Sequence, residues 1–361
     1  MRLHARLMGQ VRSTMTLFRM VWALASSLLL LGSSIASAQH QIVCSGEAAG
    51  GYAAFPDLCR LKTSDLLCVF YSGYGHVSTP NAKWPKGGRI MAVRSSDNGQ
   101  TWNKPVVVID TDQDDRDPSV ACLKDGTLLL NWFTLQNNQV AVLLARSTDI
   151  GKTWSEPVKL KLDSPYSFAC SAPVRELPDG SLILGLYHED EKKNLAFGAT
   201  VKSYDGGKTW KELVLIGEES GVFLDAETDV LPLKGDKLLA ALRSSKVDMH
   251  FAVSEDLGKS WGPVRSSGFK GHCPYFLRHS SGVILLAHRL PATSLHWSSD
   301  DGKTWNGPVK IDTVGGAYPS MVELPDALVY CVYYEEEKGS SIRGVRLRLD
   351  AKGVKVVGKQ E

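Results

Sequence analysis

Five times the chain repeats an eight-residue phrase, Ser-x-Asp-x-Gly-x-x-Trp, at residues 95–102, 147–154, 203–210, 254–261 and 298–305. Its physical content is that of a tight hairpin. The Asp carboxylate accepts hydrogen bonds from turn N–H groups two or more residues on. The Gly tolerates positive φ, and the Trp is a large apolar plug with one N–H to satisfy. The aspartates fall at 97, 149, 205, 256 and 300, so the steps are 52, 56, 51 and 44 residues. A period near 50 with one hairpin per unit means a solenoid, a propeller or an array.

A second pattern repeats between the phrases. Each unit opens on an apolar strand, as at Phe55-Pro56-Asp57-Leu58, Asp117-Pro118-Ser119-Val120, Cys273-Pro274-Tyr275-Phe276 and Tyr318-Pro319-Ser320-Met321. Polar turns such as Lys124-Asp125-Gly126 lead into second strands at 66–71, 128–133, 182–187, 238–243, 283–288 and 328–333. A third strand precedes each phrase and a fourth follows its Trp. The expectation is an all-β fold, a six-bladed β-propeller with four antiparallel strands per blade. The sixth unit lacks the phrase, and residues 41–44 are expected to supply its outer strand.

The first 38 residues are expected to lie outside that fold. Arg2, Arg6, Arg12 and Arg19 precede an apolar run over 21–31, and Ala36-Ser37-Ala38 is a small-x-small cleavage site. This reads as a secretory signal peptide cut after Ala38, with a secreted or periplasmic product and one domain over 39–361. The run is too short to span a bilayer, and no later stretch approaches membrane length. Loss of the four arginines turns 41 basic against 39 acidic residues into 37 against 39. A net charge of about −2 implies no basic face and excludes nucleic acid as a partner. The seven cysteines include no Cys-x-x-Cys, and no His-x-His cluster suggests a metal; no cofactor is expected. The acidic stretch Asp112, Asp114, Asp115 and Asp117 lacks the Gly and Glu of a calcium loop and reads as a solvated turn.

Strand direction sorts the side chains. Starts of first strands and ends of second strands share one face, and the repeated phrases lie on the other. The first face collects Phe55, Arg116, Asp117, Ser171, Glu227, His272, Cys273 and Tyr318, with Tyr74, His76, Trp132, His188, Arg243, His288, Arg289 and Tyr333. Glu227 and Tyr318 can form a base–nucleophile pair, the carboxylate taking the phenol proton. Arg243 and Arg289, from neighbouring blades, can clamp a carboxylate. Trp132 and Tyr74 suit the apolar faces of sugars. For Arg116, Asp117, His188 and His272 taken singly, a solvated rim or an ion pair is the simpler reading. Arg116 and Asp117 are carried as candidate substrate contacts by their place at the second blade's strand start.

At these residues the chain resembles the sialidase (neuraminidase) superfamily, as a divergent Asp-box (BNR) repeat protein. The repeated phrase is similar to that family's Asp box, and the resemblance covers essentially all of 39–361. Ala226-Glu227-Thr228-Asp229-Val230-Leu231 with Leu242-Arg243-Ser244 resembles the segment carrying the catalytic Glu and a carboxylate-binding Arg. Gly316-Ala317-Tyr318-Pro319-Ser320 resembles the segment of the nucleophilic Tyr, and Arg289 matches the third Arg. The resemblance implies that Tyr318 attacks the anomeric carbon with Glu227 as its base. Two departures stand out. Ala54-Phe55-Pro56 replaces the family's Arg-Ile-Pro, so the first Arg is absent. The loop over 72–88, where the family carries its acid/base Asp, contains no Asp or Glu; His76 is its one side chain titrating near neutrality. Arg116 and His76 are the candidate replacements.

The leading expectation is a secreted sialidase-like exo-glycosidase acting on an acidic or otherwise polar glycan terminus, with Tyr318, Glu227 and His76 catalytic. The alternatives are a polysaccharide lyase on a uronate-containing glycan, with His76 and Tyr318 as base and acid, and a non-catalytic glycan-binding propeller.

Overall fold

The structure, a computed structural model, describes residues 40–136, 139–336, 340–350 and 353–357. The proposed signal peptide lies outside the described residues. Ala38–Glu361 form one compact unit. It is a six-bladed β-propeller. The innermost strands are Tyr52–Arg60, Asp114–Cys122, Arg175–Glu176, Thr228–Pro232, His272–Arg278 and Gly316–Glu323, and each opens a sheet whose neighbours are consecutive in sequence. The ring closes where Gly316–Glu323 meets Tyr52–Arg60. In the sixth blade Ile342–Asp350 carries two partners, Gln41–Cys44 at one end and Gly353–Val357 at the other. Among the described residues the helical segments are two single 3₁₀ turns, Glu191–Lys193 and Glu218–Ser220, and no helix is long and apolar enough to cross a membrane.

Six apolar clusters hold the ring, one at each blade–blade interface. The second strands explain this. Side chains alternate between faces with a period of two, so a run such as Leu128-Leu129-Leu130 sends Leu128 and Leu130 toward the first blade and Leu129 toward the third. A sheet buried on both faces needs such an unbroken apolar run.

The repeated phrases are wedges between blades. In the first, Asp97 Oδ1 accepts from the N–H groups of Gln100 and Thr101, both at 2.9 Å, and the Ser95 hydroxyl accepts from Gly99 N–H at 2.8 Å. The Ser-to-Gly bond and the Asp bond to the N–H four residues on recur in the other four. The two residues at the hairpin tip both have positive φ, 55° at Asn98 and 79° at Gly99. A Cβ on Gly99 would come within 2.7 Å of the Tyr330 ring in the sixth blade, so this position requires Gly twice over. A cation from the preceding blade latches three of the wedges. Arg346 donates to Asn98 O at 2.9 Å, Lys202 to Leu257 O at 3.1 Å, and Arg94 to Ile150 O. Where the sixth blade lacks the phrase, Gly353 packs on the Trp297 indole of the fifth.

At the other face four inner strands share one irregularity. The register slips between Ala54 and Asp57, Arg116 and Ser119, His272 and Tyr275, and Ala317 and Ser320. Within each slip a non-glycine residue with positive φ precedes a proline: Phe55 (51°), Asp117 (47°), Cys273 (54°) and Tyr318 (52°). Each such residue costs about 1–2 kcal/mol, and the proline has no N–H to leave unpaired at the bulge. The four bulge residues and Ser171 of the third blade line one cavity of about 20 Å3 on the propeller axis.

Candidate active site

Glu227 completes the axial ring from the fourth blade. The preceding residue, Ala226, has φ of 63°, which turns the strand start inward. Glu227 is 1% exposed. Its Oε1 accepts from the Tyr318 hydroxyl at 2.6 Å and from Arg243 Nη1 at 2.7 Å. Its Oε2 accepts from the same Nη1 at 3.0 Å and from Cys273 N–H at 3.2 Å. Asp225 Oδ2 lies 3.9 Å from Arg243 Nη2. Burial, then the carboxylates of Asp117 and Glu227, hold the Tyr318 phenol well above its ordinary pKa. The phenol therefore keeps its proton, and its short hydrogen bond runs to the Glu227 carboxylate.

Asp117 faces the same phenol from the second blade. It is 4% exposed, and Ser171 donates to its Oδ2 at 2.9 Å. Burial pushes it up to about 6, against the pull of the Arg116 guanidinium. Arg116 is itself enclosed, with Phe55, Tyr71 and Phe133 around its guanidinium at 5.4–5.7 Å. It donates to the His76 backbone oxygen at 2.5 Å and lies 3.5 Å from Asp114 and 3.9 Å from Asp117. It anchors the His76 loop rather than standing free for a ligand. The His76 ring is half-exposed; it meets Phe55 edge-on at 5.2 Å and lies 3.4 Å from the Tyr52 hydroxyl. Burial and Arg116 lower its pKa, and Glu336 pulls the other way.

Arg289 is engaged by a carboxylate of its own chain. Its Nη2 donates to Glu336 Oε2 at 3.0 Å. Glu336, in the loop after the sixth blade's second strand, also accepts from the Tyr334 hydroxyl at 3.1 Å and stands 4.0 Å from His76 Nδ1. Sequence reasoning missed it because it sits in the middle of the run Glu335-Glu336-Glu337, which looks like an ordinary solvated loop.

Three expectations need correction. Trp132 cannot meet a sugar: it is fully buried in the interface of the first two blades, and its indole N–H donates to Asp115 at 2.8 Å. The acidic stretch is not a solvated turn. Asp114 and Asp115 are fully buried, Asp114 accepting from the Tyr71 hydroxyl at 2.8 Å and from the N–H groups of Ser78 and Gly88. His188 lies in an aromatic cluster with Tyr166 and Phe197, not in a wet loop. Beside the axis, His76, Arg116, Phe133, Tyr187 and Glu189 line a cavity of about 410 Å3.

A model of the BNR repeat-like domain matches residues 94–331. The chain belongs to that family, as a divergent, sialidase-like member. A sialidase of Micromonospora viridifaciens is 25% identical over 341 residues, covering 81% of this chain and 51% of its own length. The chain therefore spans about half of that relative. Among solved structures, a protein of unknown function from Dyadobacter fermentans superposes with a TM-score of 0.73 at 20% identity, covering 88% of this chain and 98% of that one. The intramolecular trans-sialidase of Ruminococcus gnavus gives 0.70 at 14% identity, covering 90% and 100%. Within this BNR repeat-like chain, the two departures have structural sequels. Ala54, in place of the first Arg, is fully buried beside the Phe55 bulge. In the loop without a carboxylate, His76 stands next to a carboxylate supplied from elsewhere, that of Glu336.

Proposed function

We propose that the protein is a secreted, sialidase-like glycoside hydrolase that removes a terminal sugar through a glycosyl–tyrosine intermediate. The observation that carries this reading is the 2.6 Å hydrogen bond from Tyr318 to Glu227, a carboxylate both of whose oxygens accept from Arg243 Nη1. In the first step the Tyr318 oxygen bonds to the anomeric carbon as its proton passes to Glu227, and the bond to the leaving oxygen breaks. His76 gives that oxygen a proton. In the second step neutral His76 takes a proton from water, and the water oxygen bonds to the anomeric carbon. The Tyr318–carbon bond breaks, and Glu227 returns the phenol proton. Arg243 and Cys273 N–H keep Glu227 oriented, and a mutation that frees it costs alignment. The same reading makes 1–38 a signal peptide and 39–361 one domain; N-terminal sequencing of the exported protein should begin at Gln39.

The test is sugar release from a panel of glycans, with wild type and Tyr318→Phe side by side. Wild type should release reducing sugar, and Tyr318→Phe should lose at least about 10²-fold in rate, the lower end for losing a positioned proton-transfer partner. An unsaturated, ultraviolet-absorbing product would move the assignment to a lyase. No product from any glycan, with the two proteins alike, would leave a binding propeller.

A further inference from the structure

The charges around Tyr318 say which sugars this site can hold. Each of the three arginines is already paired with carboxylates of its own chain. Arg243 is engaged by Glu227 at 2.7 Å and lies 3.9 Å from Asp225. Arg116 lies 3.5 Å from Asp114 and 3.9 Å from Asp117. Arg289 is engaged by Glu336 at 3.0 Å. Three guanidinium groups thus face five carboxyl groups. The two nearby histidines add no positive charge at neutral pH. Burial is the main cause that lowers His76 and His272, with Arg116 and Arg243 respectively acting in the same direction. The adjoining cavity repeats the pattern. Its lining includes Glu189 and Glu191, its one arginine is the enclosed Arg116, and Val77, Phe133, Leu135 and Val140 form an apolar wall.

A carboxylated sugar entering this site would have to displace Glu336 from Arg289. That exchanges one ion pair for another and leaves a displaced carboxylate beside the incoming one, and like charges brought together oppose binding. A hydroxyl-rich, uncharged sugar meets no such obstacle. Its O–H groups can donate to the exposed carboxylates of Glu189 and Glu191, and its apolar face can lie on the apolar wall. We infer that the site accepts an uncharged sugar terminus, and that Glu336 excludes carboxylated ones by occupying Arg289. This rests on the glycosidase reading only for the premise that a sugar occupies the site.

The test is equilibrium binding by calorimetry, with N-acetylneuraminate as the carboxylated probe and a panel of neutral pentoses and hexoses as methyl glycosides. Wild type should bind the best neutral sugar at least tenfold more tightly than N-acetylneuraminate. Glu336→Gln, and independently Glu336→Ala, should move that ratio at least tenfold toward N-acetylneuraminate, with the new affinity weakening as salt is raised. Tighter binding of N-acetylneuraminate than of every neutral sugar by wild type would overturn the inference. So would an unchanged ratio in both Glu336 variants, or the absence of neutral-sugar binding by wild type. Failure of the glycosidase reading would be seen separately, as Tyr318→Phe and wild type behaving alike in turnover while the binding ratios stand.

Discussion

A phenol becomes a usable nucleophile only when its proton has somewhere to go, and the Tyr318 hydroxyl donates to Glu227 at 2.6 Å. The pair was legible in the sequence because both residues open the first strand of their blades, so the repeat alone brings them to one face. Trp132 was misplaced for a reason of equal generality. A second strand is apolar on both faces, and the sequence does not say which of its residues end buried against the neighbouring blade. Asp114 and Asp115 were misread because their partners, Tyr71 and Trp132, are distant in sequence. At this scale the pH dependence belongs to His76. In the proposed role of proton donor to the leaving group it must be charged, and its pKa is lowered from the usual 6.5. The value of kcat/KM should therefore fall as pH rises through that depressed pKa, and activity should favour the acid side. The pH profile of His76→Gln should lose this descending limb; a limb that persists in the variant would assign it to another group.

The hairpins that wedge the blades together are not the elements that make the site. The wedge hairpins were visible as a sequence phrase, down to the Asp that organises the turn and the Gly at its tip. What the phrase did not reveal is the cation one residue before its Ser in several units, which reaches into the wedge of the next blade. Nor did it show that X-Pro at a strand start marks a bulge aiming Phe55, Asp117, Cys273 and Tyr318 at the axis. Two substitutions separate the two structures. Ser95→Ala leaves the buried Gly99 N–H without its 2.8 Å acceptor, and Lys202→Met leaves Leu257 O without its donor at 3.1 Å. Each should lower stability by about 1–3 kcal/mol, the cost of an unsatisfied buried group, measured by denaturant unfolding. Sugar release by both variants should stay within about twofold of wild type, since the wedges lie on the face opposite Tyr318. A large loss of activity without loss of stability would contradict that separation.

For the molecule as a whole, the same titrating groups that serve the turns and the axis set the response to acid. Hydroxyls of Thr153, Thr209 and Thr304 are the leading cause that holds Asp149, Asp205 and Asp300 below the ordinary carboxylate range, and the Ser260 hydroxyl holds Asp256 at about 2. At Asp97 burial works the other way and is outweighed by Thr101, leaving about 2. The stability these groups contribute is present above the unfolded value near 3.9 and is lost as pH falls through their folded values. His288 and His296 are lowered by burial to about 3 and about 4, so they cost stability as pH falls from about 6.5, where the unfolded chain takes their protons. Burial raises Asp57, Asp115 and Asp117 to about 6, and these favour the fold as pH falls from there toward 4. The two buried sets oppose each other between pH 6.5 and 4, and below 4 nothing offsets the wedge aspartates. The thermal midpoint should change little from pH 7 to 5 and drop steeply below 4. A midpoint higher at pH 2.5 than at pH 5 would contradict this balance.

The central claim, that Glu227 makes Tyr318 a nucleophile, is tested most directly by the mass of the peptide bearing Tyr318. Wild type and Tyr318→Phe would each be treated with fluorinated glycosyl fluorides of the sugars in the release panel and digested. Wild type should carry one glycosyl group on the Tyr318 oxygen and Tyr318→Phe none. Turnover by wild type with no adduct on Tyr318, or an adduct on a carboxylate instead, would contradict the account.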